Sequence, residues 1–406
     1  MREAALAAIN SHGKENVNLL LPVFENFLAT APNTASNDTV RQSIVILMGN
    51  LARHLDSDNP KVKPIVAQLV SALSTPSQEV QESVANCLPP LVPSIKQGAP
   101  ELVSRLLVLL LESDNYGERR GAAYGLAGLI KGMGILALKQ QQVMDTLTNA
   151  IQDKKNPRKR EGALLAFEML CNMLGRLFEP YIVHIIQHLL LCFGDGNQYV
   201  REAADECARA VMRNLSAHGV KLVLPSLLRG LEEDSWRTKA GSVELLGAMA
   251  FCAPKQLSAC LPSIVPKLTE VLTDSHAKVQ NAGSQALQQI GSVIRNPEIQ
   301  AIVPILLEAL QEPTKRTTVC LQKLLATKFV HFVDAPSLAL IMPVIQRAFQ
   351  DRVTETRKMA AQIMGNMYSL TDQKDLSPYL PSVIPGLKQC LLDPVPEVRS
   401  VSARAP

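Results

Sequence analysis

Five positive charges fall within seven residues at Lys154, Lys155, Arg158, Lys159 and Arg160. So dense a run of Lys and Arg can grip phosphate oxygens, with an affinity that drops steeply as salt rises. Pro157 interrupts the run and places it in a turn that opens onto a helix. Further cations sit at related positions along the chain: Arg119, Arg120, Arg237, Lys239, Lys315 and Arg316, with Arg201, Arg357, Lys358 and Arg399. A single Arg at the start of a helix commonly pairs with a turn Asp of a neighbouring unit, and that pairing is expected for Arg201, Arg357 and Arg399. Lys154, Lys155 and Arg158 have few acidic residues near them in sequence, so they are the candidate partner contacts. Trp236, the one tryptophan, is either a packing residue between units or an exposed contact.

No other constellation carries recognisable chemistry. The phosphate-loop pattern G-x-x-x-x-G-K-S/T is absent, and the glycines at 125, 128, 132 and 134 follow no strand. His184 and His188 have the i, i+4 spacing of metal ligands but no third ligand, and they read as a helix-surface pair. G-x-S-x-G is absent. Cys252 and Cys260 read as inert thiols, and the sequon at Asn214 matters only in a secreted chain. No catalytic residue, cofactor or metal is therefore expected.

What positions these charges is a repeat. Echoes of Tyr199-Val200-Arg201-Glu202-Ala203-Ala204 begin at Met1, Val40, Val80, Arg119, Lys159, Val200, Trp236, Val279, a degenerate copy near Arg316, Thr356 and Val398. Their spacings run from 36 to 43 residues. A period near 40 belongs to HEAT and armadillo arrays of helical hairpins. Aspartates stand five residues before five anchors (Asp114, Asp195, Asp274, Asp351 and Asp393), placed to close the hairpin turn and cap the second helix. Prolines 22, 64, 100, 180, 225, 262, 304, 343 and 381 are expected to open the first helices. Small residues such as Ala122, Ala123 and Ala127 let second helices approach closely. The expected fold is an all-α HEAT-repeat solenoid of about ten hairpins, one continuous array over residues 1–406. Met1 already sits at an anchor and residues 397–406 stop inside a second helix, so the chain reads as an internal fragment of a longer solenoid.

Composition agrees. Apolar residues are 47% of the 406 while aromatics are 4%, a core of Leu, Ala, Val and Ile suited to helices. The eight cysteines form no CxxC pair and lie mostly in apolar runs, as in a reducing compartment. No apolar run is long enough for a membrane span and no secretory signal is evident, so a cytoplasmic location is expected. Net charge is only +4, so any nucleic-acid contact must come from local clustering.

Three stretches carry a resemblance. Asp195–Met212 (DGNQYVREAADECARAVM), Leu231–Gly247 (LEEDSWRTKAGSVELLG) and the run 278–299 resemble the central region of the general-control-nonderepressible family of translational activators. That region is in turn similar to the HEAT domain of fungal translation elongation factor three. The resemblance runs through nearly the whole chain, and W-R-T-K-A-G is its most specific block. It implies a non-enzymatic scaffold that docks on ribosomes, works with an ABC-type ATPase partner, and helps activate the starvation kinase of initiation factor two. Kinase contact is implied through a region outside this chain, and the ATPase cassettes of elongation factor three are missing here. Under this reading the basic turn touches ribosomal RNA. The alternative is a transport or tubulin-binding adaptor.

Overall fold

The computed structural model describes residues 1–405, in which every regular element is helical. Ten antiparallel hairpins account for nearly all of it. The first five pair α1 (Arg2–Thr30) with α2 (Ala35–Ala52), α3 (Val62–Ala72) with α4 (Gln78–Cys87), α5 (Ala99–Glu112) with α6 (Tyr116–Met133), α7 (Val143–Ile151) with α8 (Pro157–Leu174), and α9 (Glu179–Cys192) with α10 (Gln198–Asn214). The next five pair α11 (Ala217–Gly230) with α12 (Trp236–Cys252), α13 (Pro254–Val271) with α14 (Ala277–Gly291), α15 (Val303–Gln311) with α16 (Pro313–Ala326), α17 (Ala335–Ala348) with α18 (Thr354–Leu370), and α19 (Leu380–Leu391) with α20 (Pro396–Arg404). Contacts gather the chain into two compact units, Met1–Asn214 and Leu215 onward.

In the first unit the second helices α2, α4, α6, α8 and α10 stack in order, each on its neighbours. Small residues make this possible. A Cβ on Gly128 of α6 would lie 2.6 Å from the carbonyl oxygen of Ala85 in α4, and the same helix also comes close to the first-helix layer, where a Cβ on Gly121 would lie 1.9 Å from the Leu73 carbonyl oxygen. The core between the layers is aliphatic, with Leu69, Leu110, Leu126, Leu129 and Ile130 all at most 2% exposed.

The second unit stacks less evenly. Helices α12 and α14 pack closely, as do α18 and α20, but α13 packs directly on α17, bypassing the hairpin α15–α16 between them. That hairpin carries the degenerate anchor near Arg316.

Several sequence expectations need correction. Residues 2–30 form a single helix of 29 residues, so Met1 does not begin a second helix and Pro22 lies inside α1. The reason is one unbroken buried stripe, Ile9, Gly13, Val17 and Leu21, four residues apart, of which Ile9 and Val17 pack in one cluster with Leu47 and Leu51. Pro225, Pro262 and Pro343 also lie inside helices, because Ser216 and Asp334 cap α11 and α17 earlier and Pro254 opens α13. Each interior proline removes one backbone hydrogen bond from its helix. Pro64, Pro100, Pro180, Pro304 and Pro381 do stand in first turns.

Candidate functional site

The turns between the two helices of four hairpins are built on the same aspartate motif. Asp195, Asp274, Asp351 and Asp393 each accept the backbone N–H two residues on, at 2.8–2.9 Å. These are Asx turns. The aspartate closes the turn but does not cap the helix; at Asn115, Asn197 and His276 the residue nearer the helix does that. Asp114 departs from the pattern. Its carboxylate is 93% exposed, and Ser113 takes its place by accepting the Asn115 N–H.

Three cations at second-helix starts, Arg160, Arg357 and Lys239, lock their turn to a neighbour. Arg160 Nη1 donates to its own turn at Asp153 O (2.7 Å), while Nε and Nη2 grip the next turn at Asp195 (2.8 and 3.0 Å). Arg357 does the same with Asp351 O and Asp393, and Lys239 reaches Asp274 at 3.0 Å. The expected pairing with a neighbouring turn Asp thus holds for Arg357. Arg201 and Arg399 instead donate to their own turn carbonyls, at Asp195 O and Asp393 O. Arg119 binds Ser113 O and the Glu161 carboxylate, with both side chains of that ion pair 8% exposed. Arg120 donates to Gln81 Oε1 and Pro76 O.

The five-charge run therefore divides. Arg160 belongs to a joint. Arg158 has a partner that sequence proximity hid, Asp114 of the preceding turn at 2.6 Å, although its side chain stays 46% exposed. Lys154 and Lys155 are exposed and Lys159 half-buried, and among the described residues none of the three makes an ion pair. The Asp153 carboxylate below them accepts Lys155 N, Asn156 N and Asn156 Nδ2, and these bonds, that from the Asn156 side chain foremost, hold it below the usual carboxylate range. The turn is thus braced from within, leaving the lysine ammonium groups to solvent.

In the second unit, Lys315 is exposed and Arg316 lies 3.9 Å from Glu308. Trp236 stacks on His276 of the next hairpin, centroids 4.1 Å apart and planes 6° from parallel. Arg237 lies 4.5 Å from the Trp236 ring centre and Lys278 5.1 Å, so the indole is a half-buried packing link ringed by cations. His188 is hydrogen-bonded to Gln152, and no group of three potential metal ligands occurs among the described residues. All eight cysteines are free thiols; Cys252 is exposed and Cys260 partly so.

Sequence reasoning missed a groove on the second helices of the first unit. It has a volume of 690 Å³ and is lined by Tyr116 and Arg120 of α6, Glu168 of α8, and Tyr199, Glu202, Asp205 and Glu206 of α10. The signal was present, since Glu202, Asp205 and Glu206 share one helical face. Burial, with help from Glu206, pushes the Glu168 carboxyl up to about 7 from its ordinary 4.5. The unfolded chain gives up this proton at lower pH than the folded one, so stability is lost as pH rises from the ordinary value towards 7 and stays lost above it. Glu168→Gln is expected to raise the melting temperature at pH 8 and to leave it unchanged at pH 4. Thermal melts at the two pH values check this.

The HEAT-repeat model of the stalled ribosome sensor GCN1 matches residues 1–53, the elongation factor 3 N-terminal HEAT repeat matches 119–287, and the elongation factor 3/GNC1 HEAT repeat matches 314–406. The human protein called stalled ribosome sensor GCN1 is 77% identical over 405 residues, all of this chain and 15% of that protein. The chain belongs to the HEAT-repeat family of elongation factor 3 and GCN1. Within this family, the Saccharomyces cerevisiae eIF-2-alpha kinase activator GCN1 is 42% identical over 406 residues, again 15% of its length. Elongation factor 3 of Gonapodya prolifera is 32% identical over 308 residues, covering 75% of this chain and 28% of that protein. The chain thus spans 15% of the length of the GCN1 relatives. Their names are those of a sensor and an activator. The basic turn and Trp236 lie in the 119–287 match, and Lys315 and Arg316 in the 314–406 match. No helix among the described residues is long and apolar enough to cross a membrane.

Proposed function

We propose that this chain is a non-enzymatic, cytoplasmic ribosome-docking scaffold in translational control, contributing to activation of the amino-acid-starvation kinase of the initiation factor two alpha subunit. The observation that carries the reading is the 77% identity along the full chain to a protein named stalled ribosome sensor. Lys154, Lys155 and Lys159, with Arg158 at their side, supply the free positive charge that a ribosomal RNA backbone would meet. Arg119, Arg120, Arg160 and Lys239 act on docking only by holding neighbouring hairpins in register, whereas Arg237, Lys315 and Arg316 add weaker cationic points. Trp236 fixes two adjacent turns of the second unit through its stack on His276. An ABC-type ATPase is a second partner of the scaffold, and the kinase is engaged through other segments of the long relatives.

The test is co-sedimentation with ribosomes through sucrose gradients, comparing wild type with the variant Lys154→Glu, Lys155→Glu, Arg158→Glu and Lys159→Glu. Arg160 is left intact because its reversal would break the joint to Asp195. The wild-type chain is expected to travel with ribosomes at low salt, and the variant to stay at the top of the gradient. The slope of log affinity against log salt should fall by roughly 3 in the variant. Equal sedimentation of both forms would place the contact elsewhere, and a wild type that never sediments would overturn the docking reading.

A further inference from the structure

Between α16 and α17 the chain runs without helix over residues 327–334, T-K-F-V-H-F-V-D. This strap is fixed along its length. Val330 N and His331 N donate to Glu298 Oε1 at 2.8 and 3.2 Å, and Asn296 Nδ2 donates to Phe332 O at 2.9 Å. Val333, 1% exposed, is buried and its N–H donates to Leu370 O at 2.9 Å. Asp334 then caps α17 through Ser337 N. A backbone held this firmly nevertheless presents Val330 and Phe332 to solvent at 84% and 76% exposure. Beside it lies a hollow of 240 Å³ lined by Leu324, Phe329, Ile363, Met367 and Leu370 together with the polar Thr327, Asn366 and Ser369.

The charges around the strap are lopsided. Glu298 is taken up by the strap itself, Asp334 by its cap, and Asp372 by Lys374 N. The cations have no such use. Arg295, next to the Asn296 that holds Phe332, Lys328 within the strap, and Lys323, whose carbonyl accepts from Thr327 Oγ1, are all exposed. None of the three makes an ion pair among the described residues.

We propose that the strap and its cations form a docking surface for an acidic peptide segment of a partner protein that carries apolar side chains. The apolar side chains would cover Val330 and Phe332 and enter the hollow by the strap, while Asp and Glu between them meet Arg295, Lys323 and Lys328. Because the strap is already ordered, little conformational freedom is lost on its side when a peptide binds. A membrane with anionic headgroups offers similar charge, but it lacks apolar side chains shaped for a hollow of this size.

The test uses the full 406-residue chain and a short fluorescent peptide of alternating Asp/Glu and Leu/Phe, read by anisotropy. The controls are the same peptide with Leu and Phe changed to Ser, its Lys/Arg counterpart, and vesicles of phosphatidylserine in phosphatidylcholine. The expected result is saturable binding of the acidic apolar peptide alone, weakened by salt. Val330→Ser with Phe332→Ser should weaken it about tenfold or more. Lys328→Glu with Arg295→Glu should weaken it and flatten its salt dependence. All four positions are exposed, so circular dichroism and melting temperature should match wild type. Three results would overturn the proposal: no binding of this peptide, unchanged affinity in the Val330→Ser/Phe332→Ser variant, or capture by vesicles without capture by peptide. The assay contains no ribosome, so its outcome is independent of the docking reading above.

Discussion

Glu161→Ala is expected to destabilise the first unit by about 3–5 kcal/mol, because it strands a buried guanidinium. Arg119 Nη2 lies 3.3 and 3.2 Å from the two Glu161 carboxylate oxygens, and both side chains are 8% exposed. Arg119 Nη1 donates to Ser113 O, while Nε has no partner at all. Loss of the carboxylate leaves the guanidinium charge buried without its ionic partner. Glu161→Gln keeps an acceptor and should lose less. Replacing both partners with methionine should recover most of the loss, since desolvating the pair offsets much of its attraction. Urea unfolding followed by circular dichroism reports the size of the effect. Hydrogen exchange should show it first in α6 and α8, the helices that the pair joins. A loss below about 1 kcal/mol for Glu161→Ala would mean that water reaches this joint.

The second large effect is steric. A methyl group on Gly121 would sit 1.9 Å from Leu73 O and 3.0 Å from Gln81 Nε2. Gln81 is fully buried and acts as a hub: its Nε2 shares its two hydrogens among Leu73 O, Thr75 O and Gly117 O at 2.7–2.9 Å, and its Oε1 accepts from Arg120 Nε. Backbone cannot step aside as a side-chain tip can, so Gly121→Ala must push α6 away from the end of α3. The expected cost is about 3 kcal/mol, even after the better helix propensity of alanine is counted. Gly365→Ala is the control. Its nearest neighbour would be Ala405 at 3.5 Å, ordinary contact, so it should be neutral or stabilise by up to about 1 kcal/mol. Melting both variants side by side separates crowding from propensity.

The architecture was legible in the sequence because many hairpins repeat a local device: Asp three residues before the second helix, an apolar stripe after it, and small residues where helices cross. Those signals are contained within a few residues of one another. What could not be read depends on residues about one repeat away. Arg158 looked unpartnered because Asp114 stands 44 positions earlier, in the preceding turn. Glu161, beside Lys159 and Arg160 in sequence, looks like part of a solvated charge run, yet the register of α6 against α8 buries it on Arg119. Pro22 looked like a helix start because proline favours that place, but the stripe from Ile9 to Leu21 outweighs one lost hydrogen bond. The direct packing of α13 on α17 had only the weak anchor near Arg316 to announce it. For the candidate site, the cluster was found by charge density alone, and neighbouring turns decide which of its members are left to solvent.

The joints described above fasten each turn only to the one before or after it. Arg160 holds Asp195, Arg158 holds Asp114, and no clamp of this kind skips a hairpin in the first unit. Tension applied along such a chain meets a series of separate latches instead of one shared core. Each latch can release and re-form by itself while those beyond it stay shut. Length can therefore be gained one hairpin at a time and recovered when the load falls. Such a unit can follow a load by yielding a step instead of opening all at once.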